Sequence, residues 1–177
     1  MDRFTEQVVI KHNRMLNEVL YVAALIMMVF SGIVAFFLLQ MIFFAFDVGT
    51  LIFLLLEAGI AVGLFLFRDR LRTEYEYTFT NGSLDFAMVF NNKKRKSLGS
   101  LNVAKVDAFG KVNSGSFRRH TSANNVKHLR WFLNRDSELY YIAFSKESQK
   151  SVIIFEPSEE MVGYIKHYLP YGALQEN

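Results

Sequence analysis

The stretch that decides the fold is "EYEYTFTNGSLDFAMVF", Glu74 to Phe90. Two runs rich in Tyr, Thr, Phe and Val flank the dipeptide Asn81-Gly82, and apolar and polar residues alternate along them. Asn-Gly supplies the two positive φ angles that a type I′ turn requires, and alternation is typical of half-buried strands. The stretch therefore predicts a β-hairpin at the start of an antiparallel sheet.

Further strands are predicted after this hairpin, and a helix ends the fold. The strands lie within residues 95–112, 126–133, 137–145 and 151–156, and residues 113–125 are typical of a long loop. Ser158 is the predicted N-cap of a helix that ends before Pro170 and covers one end of the sheet with its apolar face. Trp131 is interpreted as a core residue. These features predict a domain over residues 73–170 and a tail over residues 171–177.

Two apolar segments precede the sheet. Residues 20–46, "LYVAALIMMVFSGIVAFFLLQMIFFAF", carry no charge, and a helix of that length exceeds the hydrocarbon thickness of about 30 Å. Residues 50–67 form a second apolar run, about one bilayer long and interrupted by Glu57, after the short connector Asp47-Val48-Gly49. A cleaved signal peptide is disfavoured because the first run is too long and ends in "FFAF". The segments predict a transmembrane helical hairpin over residues 20–67.

Charged residues flank the hairpin and predict its orientation. Arg3, Lys11 and Arg14 precede it, Arg68, Arg70 and Arg72 follow it, and Asp47 is the charged residue of the connector. Positive flanks favour the cytoplasmic side, so we expect a multi-pass protein of the cell membrane with both termini cytoplasmic. Residues 1–19 have apolar residues at roughly helical spacing, which predicts an interfacial amphipathic helix or a cytoplasmic extension of the first span.

Four residues of the hairpin are candidates for helix contact. Gln40 and Glu57 lie at matching depths in antiparallel helices, which favours an interhelical hydrogen bond over the alternative, a proton or ion relay built on Glu57. Gly59 and Gly63 form a small-xxx-small pair suited to close packing. The sequence leaves open whether that contact forms within the hairpin or between copies of the chain.

The order of these elements resembles bacterial pleckstrin-homology-like membrane proteins. "MDRFTEQ", "EYEYTFTNGSLDF", "KKRKSL" and "VIIFEPSEEMVGYIKHYLP" more closely resemble a family of small, functionally uncharacterised two-helix membrane proteins from Gram-positive anaerobic bacteria. The resemblance implies an α+β membrane protein: a transmembrane hairpin followed by an antiparallel cytosolic pleckstrin-homology-like domain with one C-terminal helix. It brings no catalytic or ligand residues.

Positive charge is concentrated in one part of the chain. Residues 91–135 contain eleven Lys or Arg and one acid, Asp107. The candidate binding residues are Lys93, Lys94, Arg95, Lys96, Arg118 and Arg119. Anionic lipid headgroups are the nearest partner, ahead of a soluble phosphorylated ligand or an acidic protein surface; no nucleic acid is expected. The alternative for residues 93–96 is a solvated turn that protects a sheet edge.

The sequence shows no constellation typical of an enzyme. It has no cysteine, its four histidines lack metal-ligand spacing, and it has no phosphate-binding glycine loop. We therefore expect no catalytic residue, metal or cofactor. The predicted function is a membrane-anchored, cytosol-facing binding or scaffold module. The alternative is a structural subunit assembled through the hairpin, and a membrane or cytosolic protein partner and homo-oligomerisation stay open.

Overall fold

A computed structural model describes residues 3–122 and 125–175 of the chain. The chain divides into two compact units. We call residues 13–73 and 90–93 the helical unit, and the residues up to 12, 74–89 and from 94 onward the sheet unit.

The helical unit is built on two long apolar helices, α1 (Met15–Phe44) and α2 (Val48–Phe67). Asp47 caps α2 by accepting a hydrogen bond from the Thr50 N–H at 2.8 Å, and a 3₁₀ helix (Arg68–Arg72) follows α2. Both long helices have the length and composition needed to cross a membrane. Tyr21, Ala24 and Ser31 of α1 are buried, whereas no residue of α2 is.

The sheet unit contains a first sheet, sheet A. Its strands are β1 (Phe4–Val9), β2 (Thr73–Thr80), β3 (Ser83–Phe90) and β4 (Lys94–Asn102), in that spatial order. Asn81 and Gly82 between β2 and β3 have φ angles of 46° and 91°. These are the two positive values expected of the Asn-Gly turn, so the predicted hairpin is confirmed.

Strand β1 corrects the helix predicted over residues 1–19. Residues 4–9 are extended and pair antiparallel with β2, from Phe4 opposite Thr80 to Val9 opposite Tyr75. Thr5 and Val9 are buried and Gln7 is half-buried, which is the period of two of a strand rather than the period of a helix. Because α1 begins at Met15, the two helices are inserted between the first and second strands of the sheet.

Sheet B is mixed, which corrects the all-antiparallel prediction. Its strands are β5 (Ala108–Lys111), β6 (Lys127–Trp131), β7 (Tyr140–Lys146), β8 (Gln149–Phe155) and β9 (Leu174–Gln175), in the order β6-β8-β7-β5-β9. The hairpin of β7 and β8 is antiparallel as predicted. Strand β6 runs parallel to β8, and β9 runs parallel to β5. Runs of aromatic and β-branched residues identify these strands, but they carry no information on which strand pairs with which.

Two further segments differ from prediction. The predicted loop over residues 113–125 contains helix α3 (Gly115–Thr121), held by the Phe117 ring against Tyr141 with 5.3 Å between ring centroids. The predicted tail over residues 171–177 contains β9, where the Phe109 N–H donates to the Ala173 carbonyl at 2.8 Å. Both short elements are thus packed on or paired with sheet B.

Helix α4 (Glu159–Tyr168) packs on the core as predicted. The Met161 N–H donates to the Ser158 hydroxyl at 3.2 Å, so Ser158 is the N-cap. The core of the sheet unit is largely aromatic and aliphatic, and its fully buried members include Tyr77, Phe79, Leu84, Phe86, Phe109, Ile142, Ile153, Phe155, Met161 and Ile165.

A buried polar network fastens the N-terminal segment to this core. Asn134 and Glu156 are 4% and 9% exposed. The Asn134 side-chain amide donates to both Glu156 carboxylate oxygens, at 3.0 and 3.2 Å, and to the Ile10 carbonyl at 2.9 Å. Its oxygen accepts from the His12 N–H at 2.8 Å, and the Ser137 hydroxyl donates to Glu156 at 2.7 Å. One amide therefore joins the end of β1 to a buried carboxylate.

Candidate binding surface

The basic residues 93–96 follow the turn between β3 and β4. Asn91 and Asn92 have φ angles of 49° and 52°, and the Lys93 N–H donates to the Phe90 carbonyl at 3.0 Å, which closes the turn. Asparagine tolerates this left-handed region better than most residues do. Lys94, Arg95 and Lys96 then begin β4, and all four basic side chains are exposed.

One of these four cations has an acidic partner. The Arg95 Nε lies 2.9 Å from a carboxylate oxygen of Glu76 on β2, and the Glu76 side chain is 18% exposed against 59% for Arg95. Within the described ranges no acid pairs with Lys93, Lys94 or Lys96. Three of the four charges are thus available to an external anion.

Arg118 and Arg119 lie on a different element. Both are exposed on α3, which packs on sheet B through Phe117, whereas β4 belongs to sheet A. The structure therefore divides the six predicted basic residues between two elements. Lys111, close to α3 in sequence, donates to Glu138, and this hydrogen bond raises the pKa of Lys111 and lowers that of Glu138.

Asn91 connects the β3–β4 turn to the ends of the two helices. Its side-chain amide donates to Asp69 at 2.7 Å and to the Tyr21 hydroxyl at 3.2 Å. Its backbone N–H donates to the Arg72 carbonyl at 2.8 Å, and its side-chain oxygen accepts from the Arg72 guanidinium at 3.3 Å. Lys93, two residues later, therefore follows a turn that is bonded to the first turns of α1 and to the segment that ends α2.

Arg72 is the centre of this arrangement. Its guanidinium carbon lies 3.8 Å from the centre of the Tyr21 ring, and its Nη2 pairs with the Glu18 carboxylate. Sequence reasoning used Arg72 only as a topology signal and missed Asn91 altogether. The signal in the sequence is slight, because these residues are polar groups beside apolar segments and are separated by many positions.

The four helix-contact candidates are not joined within the hairpin. Half-buried and buried positions of α1 recur at 21, 24, 28, 31, 35, 38 and 42, which is the stripe that faces α2. Gln40 is exposed and lies about 200° around the helix from Leu38, and the structure shows no hydrogen bond between the described side chains of Gln40 and Glu57. Glu57 is half-buried. A Cβ added at Gly59 or Gly63 would meet nothing within 4 Å, so these glycines face open space.

Over residues 3–122 and 125–175, no three His, Asp or Glu side chains converge as metal ligands would. Residues 1–174 match the family of the bacterial PH-like domain (DUF6106).

The chain belongs to this family. Two long apolar helices with two β-sheets are consistent with a PH-like domain that carries a helical insertion, and a PH-like domain indicates a binding or scaffold module. Searches of the curated proteins and of the solved structures found no match.

Proposed function

We propose that this PH-like protein is a membrane-anchored binding module that faces the cytosol, and that Lys93, Lys94 and Lys96 dock on anionic lipid headgroups. The observation that supports this most directly is the set of hydrogen bonds made by Asn91 to Tyr21, Asp69 and Arg72. If α1 and α2 span a bilayer, residues bonded to their charged ends lie at headgroup depth. The basic run begins there.

The pairing of β1 with β2 supports a hairpin topology. Strand β1 precedes α1 and β2 follows α2, yet the two strands exchange backbone hydrogen bonds from Phe4–Thr80 to Val9–Tyr75. Both strands must therefore lie on one side of any membrane that the helices cross. The basic flanks Arg3, Lys11 and Arg14 favour the cytosolic side, where anionic lipids are found.

The available charge is sufficient for docking of a tethered domain. Each Lys or Arg near an anionic leaflet contributes about 1 kcal/mol, so three unpaired lysines contribute about 3 kcal/mol. The helices hold the domain at the surface, so this modest energy acts without a loss of translational freedom. Arg118 and Arg119 on α3 provide a second basic element for an acidic protein partner.

The test uses a spin label on the full chain in nanodiscs. The chain contains no cysteine, so Ser97→Cys on β4 gives one labelled site beside the basic run. We expect the label to be shielded from a water-soluble nickel complex in phosphatidylglycerol nanodiscs and to be accessible in phosphatidylcholine nanodiscs. High salt should abolish the difference because it screens exposed charges.

Two charge variants control this measurement. Replacing Lys93, Lys94, Arg95 and Lys96 by Ala should remove the shielding. Replacing four exposed lysines elsewhere, Lys105, Lys146, Lys150 and Lys166, removes the same charge and should preserve it. Equal accessibility of the label in both lipids, with the native sequence and low salt, would refute lipid docking and favour a protein partner.

A structural subunit is the second candidate. Gly59 and Gly63 of α2 face open space, and small residues allow close approach of a helix from another copy or another protein. Replacing both glycines by Leu should abolish cross-linking between copies if this face assembles them. Replacing Gly32, which also faces open space on α1, is the matched control.

A further inference from the structure

A groove runs between an edge strand of sheet A and an edge strand of sheet B. Strand β4 is the last strand of sheet A and β6 is the last strand of sheet B. The groove between them has a volume of about 410 Å³. Its apolar lining includes Phe86, Leu98, Leu101, Leu129, Trp131 and Ile153. Lys127, Lys146, Glu147 and Gln149 contribute polar groups to the same groove, two of them basic and one acidic.

Trp131 closes the groove on one side. The centroid of its ring lies 4.8 Å from the ring centroid of Phe86. A Cβ added to Gly99 would lie 3.8 Å from the Trp131 Cη2. The indole of β6 therefore reaches across to the backbone of β4. Gly99 has a φ of +154°, which marks an irregularity in the middle of β4.

The two halves of β4 differ in chemistry. Lys94, Arg95 and Lys96 form a basic half, whereas Leu98 and Leu101 are half-buried and contact the core beside the groove. No strand of the described chain pairs with the outer edge of β4. That edge presents backbone N–H and C=O groups, for which another extended chain is the natural partner.

We infer that β4 accepts an extended peptide of a partner protein as an added strand. The peptide carries acidic residues beside Lys94 and Lys96 and apolar residues beside Leu98 and Leu101, where alternate side chains enter the groove. If two copies paired through β4, the basic residues 94–96 of one copy would repel those of the other, which disfavours this pairing. The charge therefore favours an acidic partner. A lipid tail would fill the groove but leave the strand edge unpaired.

The experiment uses the full chain in neutral phosphatidylcholine nanodiscs with a tryptophan-free scaffold protein, so anionic lipid makes no contribution. Trp131 is the chain's one tryptophan and lines the groove, so its fluorescence reports occupancy. The probes are two synthetic peptides of nine residues, the length of β4. One has an acidic N-terminal half and an alternating Val and Ser C-terminal half, and the other has the reverse order. Saturable binding of one of them gives the direction of the added strand.

Backbone pairing and charge are tested separately. N-methylation of alternate residues should abolish binding in one register and spare the other, because alternate N–H groups face β4. The double variant Lys94→Glu, Lys96→Glu should bind the acidic peptide about tenfold more weakly. It should bind more tightly a peptide in which lysines replace the acidic residues. Lys166→Glu on α4 should change the binding of neither peptide. The gain for the lysine peptide shows that the variant is folded.

Three results would overturn the inference. They are absence of saturable binding by either peptide, equal tolerance of both N-methylated registers, and binding of dodecanoate that quenches Trp131 while neither peptide does. The last would assign the groove to an anionic amphiphile. Lipid docking is measured in anionic nanodiscs with a label at Ser97, so its failure leaves the peptide result intact.

Discussion

Replacing Asn134 by Ala tests whether one buried amide holds the N-terminal strand on the domain. The substitution removes four hydrogen bonds: two to the Glu156 carboxylate, one to the Ile10 carbonyl and one from the His12 N–H. Ile10 and His12 are exposed, so water replaces much of their loss. Glu156 is 9% exposed and keeps the Ser137 hydroxyl and the Asn134 N–H.

The magnitude follows from these contacts. Net of the competition with water, hydrogen bonds to a charged group contribute about 1.5 to 3 kcal/mol and neutral ones about 1 kcal/mol. Only the two neutral bonds reach the N-terminal segment, so the opening of β1 should become easier by about 1 to 2 kcal/mol, which corresponds to about 5- to 30-fold in the opening equilibrium. Because both neutral bonds end on residues 10 and 12, we expect the opening to release β1 first.

Hydrogen exchange of the full chain in nanodiscs measures this opening directly. Protection of amides in β1 should fall by about 5- to 30-fold in Asn134→Ala, while amides of β7 and β8, which pair with each other, keep their protection. Asn113→Ala, at an exposed asparagine, is the matched control. If β1 exchanges at the same rate in both variants, the network does not hold the strand and the reasoning fails.

Two further predictions concern the C-terminal edge and acid stability. Gly110→Ala places a Cβ 2.6 Å from the Gln175 carbonyl oxygen, so β9 should detach at a cost of about 1 to 3 kcal/mol. The amide hydrogens of Ala173 and Leu174 should then exchange faster, and unchanged exchange there would contradict the prediction. A hydrogen bond with His12 lowers the pKa of Asp136 below its usual 3.8. Asp136 therefore stabilises the fold at pH values above 3.8, and this stabilisation is lost as the pH falls through the lowered pKa of the folded protein. The thermal midpoint of Asp136→Asn should therefore lie below that of the native chain at neutral pH and converge with it in acid, whereas a gap that widens in acid would exclude the effect.

Local features of the fold could be predicted from the sequence because their causes are local. Asn81 and Gly82 determine their turn by backbone preference, and Ser158 caps α4 through a hydroxyl three residues from its donor. The length of an apolar run similarly predicts α1 and α2. Each of these signals acts within a few positions of the chain.

Long-range pairing could not be read in the same way. Residues 4–9 form a strand because β2 is available, and their own pattern was compatible with a helix. Strand β6 pairs in parallel with β8, and the residues of β6 specify neither that partner nor that direction. At the candidate surface, the basic residues were evident, but Asn91 gains its role from Tyr21, Asp69 and Arg72, which no spacing rule connects.

The insertion of α1 and α2 between β1 and β2 has a consequence for biosynthesis. The ribosome makes β1 first, and its partner β2 emerges only after both apolar helices. Sheet A therefore cannot close until both helices and β2 have been synthesised. Until then β1 is an unpaired strand with exposed backbone groups.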